Sequence, residues 1–187
     1  MVKILIFLDL AKTISFLDGH YLIKEMVLET YRYKIKSLQQ AKDECGRLKA
    51  SGQKIVFTNG CFDILHPGHT RYLCAARELG DHLIVAVNSD RSVTAIKGPE
   101  RPVFNEQVRA ELLAALSCVD TVFIFDEDNP LKVIQYLLPD ILVKGGDWSE
   151  ETIIGADVVK EAGGQVKPIP YINGFSTTDI INKIRDC

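Results

Sequence analysis

His66 and His69 stand three residues apart, with Pro67 and Gly68 between them, directly after Asn59-Gly60-Cys61-Phe62-Asp63-Ile64-Leu65. Two imidazoles so spaced in the first turn of a helix can each offer an N–H or a full positive charge to phosphoryl oxygens. Gly68 lets a ligand approach the backbone where a Cβ would collide. Taken alone, the pair also suits a solvated surface or half of a metal site. The flanking pattern decides between these readings. Lys54-Ile55-Val56-Phe57-Thr58 is a β-branched apolar run, as in a strand covered on both faces, and Leu73, Ala76 and Leu79 recur at helical spacing from Pro67 to Gly80. A parallel strand feeding a helix leaves backbone N–H groups and the positive end of the helix dipole at the turn, where phosphates bind. The stretch reads as a nucleoside triphosphate site.

Other residues suit the same chemistry. Asn88-Ser89-Asp90 ends a second apolar run with short side chains fit for hydrogen bonding, or for a plain turn. Asn88 to Asn105 reads as one long irregular segment carrying Lys97 and Arg101, cations able to close over phosphates, although a solvated connector has the same composition. Arg101, Glu106 and Arg109 form an R-x-x-x-x-E-x-x-R string, in which a surface Glu106–Arg109 ion pair is the plainer alternative. Lys144-Gly145-Gly146 follows a buried-strand pattern, where packing gives a lysine little reason to be. Ser176-Thr177-Thr178-Asp179 opens the last helix as an S-x-x-D cap and exposes further hydroxyls at a helix start.

These groups need a frame. Ser37-Leu38-Gln39-Gln40 is a capping box opening a helix with Leu38, Ala41, Cys45 and Leu48 on one face. Strands at 54–59, 82–88, 120–125, 140–144 and 165–169 then alternate with helices at 67–79, 105–117, 130–137, 151–162 and 176–185. Such alternation implies an α/β fold: a doubly wound, Rossmann-like parallel sheet of about five strands with helices on both faces. Ligands bind beyond the carboxyl ends of its strands where strand order reverses, so the groups after 54–59, 82–88 and 140–144 should converge.

The chain has 187 residues, 25% of them charged and 47% hydrophobic, enough for one ordinary domain with an appendage. A net charge of −3 argues against a nucleic-acid binder. Five dispersed cysteines, with Cys61 in the turn, form neither a zinc pattern nor a disulfide framework and suit a reducing compartment. Asp9 and Lys12 interrupt the apolar start from Val2 to Leu17, which excludes a membrane span and points to the cytoplasm. Residues 1–36 form an extension, mostly helical, with an amphipathic pattern over Tyr21–Ile35. Asp9 to Thr13 only echoes a D-x-D-x-T phosphatase loop, since Ala11 replaces the second aspartate. There is no G-x-x-x-x-G-K-[ST], no G-x-G-x-x-G after the first strand and no covalent triad.

Phe57-Thr58-Asn59-Gly60-Cys61-Phe62-Asp63 with His66-Pro67-Gly68-His69, followed by Gly174-Phe175-Ser176-Thr177-Thr178, resembles the two signatures of the cytidylyltransferase-like nucleotidyltransferases. Within them the chain most resembles the adenylyltransferases of bacterial ADP-heptose synthesis, over Ser37 to Arg185. The resemblance implies an HxGH-type domain at 37–187 that transfers AMP from ATP to D-glycero-β-D-manno-heptose 1-phosphate, releasing pyrophosphate. His66, His69 and Lys97 would then be catalytic, with Mg²⁺ held through the phosphates. Asn59, Gly60, Cys61, Phe62, Gly68, Asn88, Arg109, Lys144, Gly145, Ser176, Thr177 and Thr178 would line the nucleotide, and Asp63, Asp90 and Arg101 the sugar phosphate. Asp63 suits either the metal's neighbourhood or the turn itself. The implied partners are these small molecules, a second copy of the chain and a separate heptose kinase, without nucleic acid or membrane. Two other readings keep the pocket: a cytidylyltransferase acting on glycerol 3-phosphate or another phosphorylated alcohol, and a nucleotide-binding subunit without catalysis.

Overall fold

The structure, a computed structural model, describes residues 30–146, 149–170 and 174–186. The apolar start, the Asp9–Thr13 echo, most of the Tyr21–Ile35 helix, Asp147, Trp148 and Cys187 lie outside the described residues. Compactness divides the chain into Met1–Tyr33 and Lys34–Cys187. In the first unit residues 30–32 are helical. Everything below concerns the second.

Helix α1 (Leu38–Ala50) begins at the expected capping box: Ser37 Oγ accepts from the Gln40 amide at 3.2 Å and Gln40 Oε1 from the Ser37 amide at 2.8 Å. Then follow β1 (Ile55–Gly60), α2 (Pro67–Arg77), β2 (His82–Asn88), α3 (Asp90–Lys97), α4 (Glu106–Ala114), β3 (Thr121–Phe125), α5 (Leu131–Leu137), β4 (Ile141–Gly145), α6 (Ala156–Glu161), β5 (Gln165–Ile169) and α7 (Thr177–Arg185). The five strands pair in parallel in the order β3-β2-β1-β4-β5, as the alternation predicts. Strand order reverses between β1 and β4, so the crevice opens at Gly60 and Gly145.

Alternate strand residues feed two layers, because side chains along a strand point to opposite faces. Ile55, Phe57, Ile84, Ala86, Phe123 and Leu142 join Ala41 and Cys45 of α1, Val133 and Ile134 of α5 and Ala156 and Val159 of α6 in one core. Val56, Leu83, Val85 and Val122, from the intervening positions, are also fully buried, as are Leu73 of α2 and Leu113 of α4. Burying each such side chain contributes about 2 kcal/mol, which makes the sheet a rigid base for the loops at its carboxyl edge.

Three local expectations need correction. Asn88 to Asn105 is not irregular throughout, since it contains α3. Ser89 Oγ accepts from the Ser92 amide at 3.1 Å and Val93 is fully buried, but eight residues with few apolar positions leave too little periodicity to read. Lys97 therefore ends a helix rather than riding on a loop. Ile35, expected at the end of a helix, instead bridges Val122: the Val122 amide donates to the Lys34 carbonyl and the Lys36 amide to the Val122 carbonyl, both at 2.9 Å. Pairing at an open sheet edge outweighs helical periodicity there. The predicted 151–162 helix splits into a 3₁₀ turn (Glu150–Thr152) and α6, because Gly155 takes φ +84°. A Cβ on Gly155 would meet Ile134 Cδ1 at 2.8 Å.

Candidate active site

The β1–α2 corner is built by a backbone that few sequences tolerate. Phe62 is buried with φ +46°, a left-handed conformation that costs a non-glycine residue free energy and persists where its surroundings fix it. Asp63 does much of the fixing. Its carboxylate, almost fully buried, accepts from the Val103 amide at 2.7 Å, the Phe104 amide at 3.2 Å and Arg101 Nε. Asp63 thus ties the 101–104 loop to the corner.

His66 is the N-cap of α2 and Pro67 its first residue; the His66 side chain makes no capping bond. The His66 and His69 rings stack 3.8 Å apart at 20°, with Phe62 edge-on to His69 at 5.3 Å. Nδ1 of each histidine is shut off from solvent without a hydrogen-bond partner among the described residues. Buried polar atoms are nearly always paired, so two orphans side by side mark a place where a ligand completes the bonding. Burial pulls His69 down to about 4, with His66 beside it adding to the fall and the Ile64 carbonyl opposing it. Burial also lowers His66. Both are neutral at pH 7, and each carries one N–H to donate. A Cβ on Gly68 would meet His66 Nδ1 at 2.9 Å, so glycine there leaves the ring its place.

The last helix comes to the same corner. Phe175 lies parallel to His66 with ring centroids 6.2 Å apart, and Thr177 Oγ1 donates to the Ile64 carbonyl at 3.4 Å. Ser176 Oγ accepts from the Asp179 amide at 3.4 Å, so this hydroxyl caps α7 as its spacing predicts. The starts of α2 and α7 thus lie together, and their dipoles favour the same anion.

Lys144, across the switch point, reaches Asn59 through its carbonyl and Oδ1, both at 3.3 Å. Burial lowers this ammonium, and no carboxylate among the described residues pairs with it. A buried charge in that state favours an anionic ligand. The Cys61 thiol registers the convergence of cations. Burial raises it, while Lys97, Arg109, Lys144 and Arg101 all pull it down. Positive groups from three segments, the 97–101 turn, α4 and β4, thus act on one turn.

The R-x-x-x-x-E-x-x-R string resolves differently from a surface pair. Arg109 is fully buried and donates to the Phe104 carbonyl at 2.9 Å, the Cys61 carbonyl at 2.6 Å and Asp90 Oδ1 at 2.8 Å. Glu106 Oε2 accepts instead from the Asp90 amide at 2.9 Å. Asn88 Nδ2 donates to Ser92 Oγ at 2.9 Å, turning this side chain toward the start of α3. Gly60 lies beside the Phe62 ring, and a Cβ there would meet it at 3.0 Å. A Cβ on Gly145 would meet the Tyr72 ring at 3.2 Å, and Tyr72 Oη shares a 2.5 Å hydrogen bond with Thr58 Oγ1. The Thr58–Tyr72 bond that joins β1 to α2 under the site escaped sequence reasoning. Tyr72 sits at helical spacing and reads as core; only its hydroxyl, needing a buried partner, gave a signal.

A Rossmann-like sheet with two helix starts and a neutral histidine pair at its switch point defines a nucleotidyltransferase. Residues 57–183 match the cytidylyltransferase-like family, and the chain belongs to it. Among curated relatives it is similar to the bifunctional protein HldE of Syntrophotalea carbinolica, 48% identical over 93% of this chain and 35% of that protein. The HldE of Hyphomonas neptunium is 57% identical over 72% of this chain and 28% of its own length. The chain thus spans about a third of the length of these relatives. A lipopolysaccharide core biosynthesis protein from Thermoplasma volcanium superposes with TM-score 0.52 at 32% identity, covering 65% of this chain and 98% of its own. Pantoate-β-alanine ligase from Francisella tularensis, at 18% identity and TM-score 0.53 over 82% of this chain and 78% of that one, shares the fold.

Among the described residues no cluster of His, Cys, Asp or Glu forms a metal site, and Asp63 is spent on Arg101 and two amides.

Proposed function

We propose that residues 37–187 form an adenylyltransferase domain that transfers AMP from ATP to D-glycero-β-D-manno-heptose 1-phosphate. The observation that carries this reading is the meeting of the α2 and α7 starts around two neutral, stacked imidazoles with unpaired nitrogens, with the half-buried Lys144 at the end of β4 across the switch point. A phosphate oxygen of the acceptor attacks the α-phosphorus in line. The bond from the α-phosphorus to its bridging oxygen breaks, and pyrophosphate leaves with that electron pair. His66 and His69 donate hydrogen bonds to oxygens on which charge accumulates. Lys97, Thr177 and Thr178 hold the leaving phosphates, and Lys144 compensates negative charge from the side of β4. Mg²⁺ on the phosphates neutralises charge when bound. Asn59, Gly60, Gly68 and Gly145 give the nucleotide close access to backbone.

Identity to HldE proteins, whose name marks them as bifunctional, supports the heptose assignment. We assign the reaction to the cytoplasm. Among the described residues no helix is long and apolar enough to cross a membrane. We also assign a homodimer, supported by the exposed apolar Val108 and Leu112, one turn apart on α4, beside exposed Val103 and Phe104.

Pyrophosphate release, measured over a panel of nucleoside triphosphates and phosphorylated acceptors, tests the reading. Release with ATP and heptose 1-phosphate is expected. Release only with CTP and glycerol 3-phosphate would move the chain to that substrate pair, and none with any pair would leave a nucleotide-binding subunit.

A further inference from the structure

A neutral imidazole carries its single N–H in the plane of the ring, so a histidine that donates to a phosphoryl oxygen has to be held at one angle. No hydrogen bond among the described residues does this for His66, whose side chain caps no amide and whose Nδ1 lacks a partner. Packing sets the angle instead. Two rings lie nearly parallel to His66, His69 at 3.8 Å and 20° and Phe175 at 6.2 Å and 16°. His69 shares α2 with His66, whereas Phe175 arrives from the segment that opens α7. The two segments close on each other at Gly68, where a Cβ would meet His66 Nδ1 at 2.9 Å and Phe175 Cβ at 3.2 Å. Arg71, on the second turn of α2, completes the group. Its guanidinium carbon lies over the Phe175 ring, 5.9 Å from the centroid, within reach of a cation–π interaction.

We infer that Phe175 is a positioning residue for His66, and that Arg71 holds Phe175 in that role. The inference rests on the nucleotidyl-transfer reading above, in which His66 donates to the reacting phosphate. Its consequence is a link between the last helix and the chemistry. Helix α7 buries none of its own residues, so its start is seated by Phe175 and by the 3.4 Å hydrogen bond from Thr177 to the Ile64 carbonyl. The ring that seats the helix is the ring that sets the imidazole. A displaced α7 therefore turns His66 away from its oxygen. What fixes the angle is a planar ring lying parallel to another, which an aliphatic side chain of similar volume does not supply. Phe175 is 37% exposed and Arg71 lies at the surface, so replacing either leaves the core intact.

Steady-state pyrophosphate release from ATP and heptose 1-phosphate is measured for the wild-type chain, Phe175→Ala, Phe175→Tyr, Arg71→Ala and the double alanine variant, together with imidazole proton NMR of each ligand-free protein. All should melt with the wild type. Phe175→Ala should lower kcat about 10- to 100-fold and change the KM for ATP by less than about threefold, because a small misplacement of a donor acts on the transition state. Phe175→Tyr keeps the ring and should hold kcat within about twofold of normal. Arg71→Ala should cost about threefold by itself and nothing further once Phe175 is alanine. His66 ring resonances should move in Phe175→Ala, while those of His82 at the start of β2 stay in place. An unchanged kcat, a loss carried by KM with kcat intact, or a tyrosine variant as slow as the alanine one would overturn the inference, and equal losses from Arg71→Ala in both backgrounds would remove Arg71 from it. If the wild type releases no pyrophosphate with any triphosphate and acceptor, the nucleotidyl-transfer reading fails separately. The positioning then stands or falls on whether the His66 resonances move.

Discussion

Two imidazoles at 3.8 Å can stack because neither is charged, and burial is what keeps His69 neutral down to about 4. A neutral ring that donates one N–H stabilises charge arising late on a phosphoryl oxygen without holding the ground-state anion too tightly. His69→Ala should therefore lower kcat by about 10²- to 10³-fold while circular dichroism and melting stay close to wild type. A kcat within a few-fold of normal would remove His69 from the chemistry. Lys144 makes the opposite trade. Its ammonium is buried against Asn59 without a carboxylate, so the folded chain bears a desolvation cost that the ligand's charge offsets. Lys144→Met should raise the melting temperature and weaken ATP at least tenfold. Loss of stability in that variant would show that the lysine serves packing rather than ligand.

Between elements, one side chain does most of the joining. Arg109 comes from α4 and holds the Cys61 carbonyl of the β1–α2 corner, the Phe104 carbonyl of the preceding loop and Asp90 of α3. Replacing it by Met leaves two carbonyls without their donor and Asp90 without its ion pair, which should destabilise the domain by about 3 kcal/mol in urea unfolding. The same change should lower kcat/KM further than Lys97→Met does, because the whole corner shifts. A variant that keeps stability but loses ATP affinity would make Arg109 a direct ligand. None of this was legible beforehand. The R-x-x-x-x-E-x-x-R string announced charged residues, but two of the partners of Arg109 are backbone carbonyls that carry no residue type, one of them 48 positions away. Helix α3 was hidden for a related reason: a single fully buried apolar side chain, Val93, fastens it to the sheet.

For the molecule as a whole, the buried histidines set the acid limit. Unfolded His69 takes a proton near 6.5, folded His69 only near 4, so between those values the unfolded chain holds more protons and stability falls as pH falls. His66 and His82, also lowered by burial, act in the same direction. Urea midpoints should drop from pH 7 to 4.5, and less so in His69→Gln; parallel curves for the two proteins would refute the account. Neutral imidazoles that donate to the triphosphate gain no proton, so ATP should bind with little proton uptake between pH 7 and pH 8, as calorimetry in buffers of different ionisation enthalpy reads; uptake of a full proton would show that a histidine holds ATP in its charged form.

Residue order alone determined the alternating α/β frame, the capping box at Ser37, the Ser176 cap and the strand-to-helix corner that carries His66 and His69. Periodicity and local hydrogen-bonding preference act over a few positions, and both are written in neighbouring residues. Only tertiary structure decided that Phe175 stacks on His66 and that Asp63 and Arg109 are spent on holding loops. Those outcomes depend on which backbone groups burial strips of water, and that is settled when distant segments close around one another.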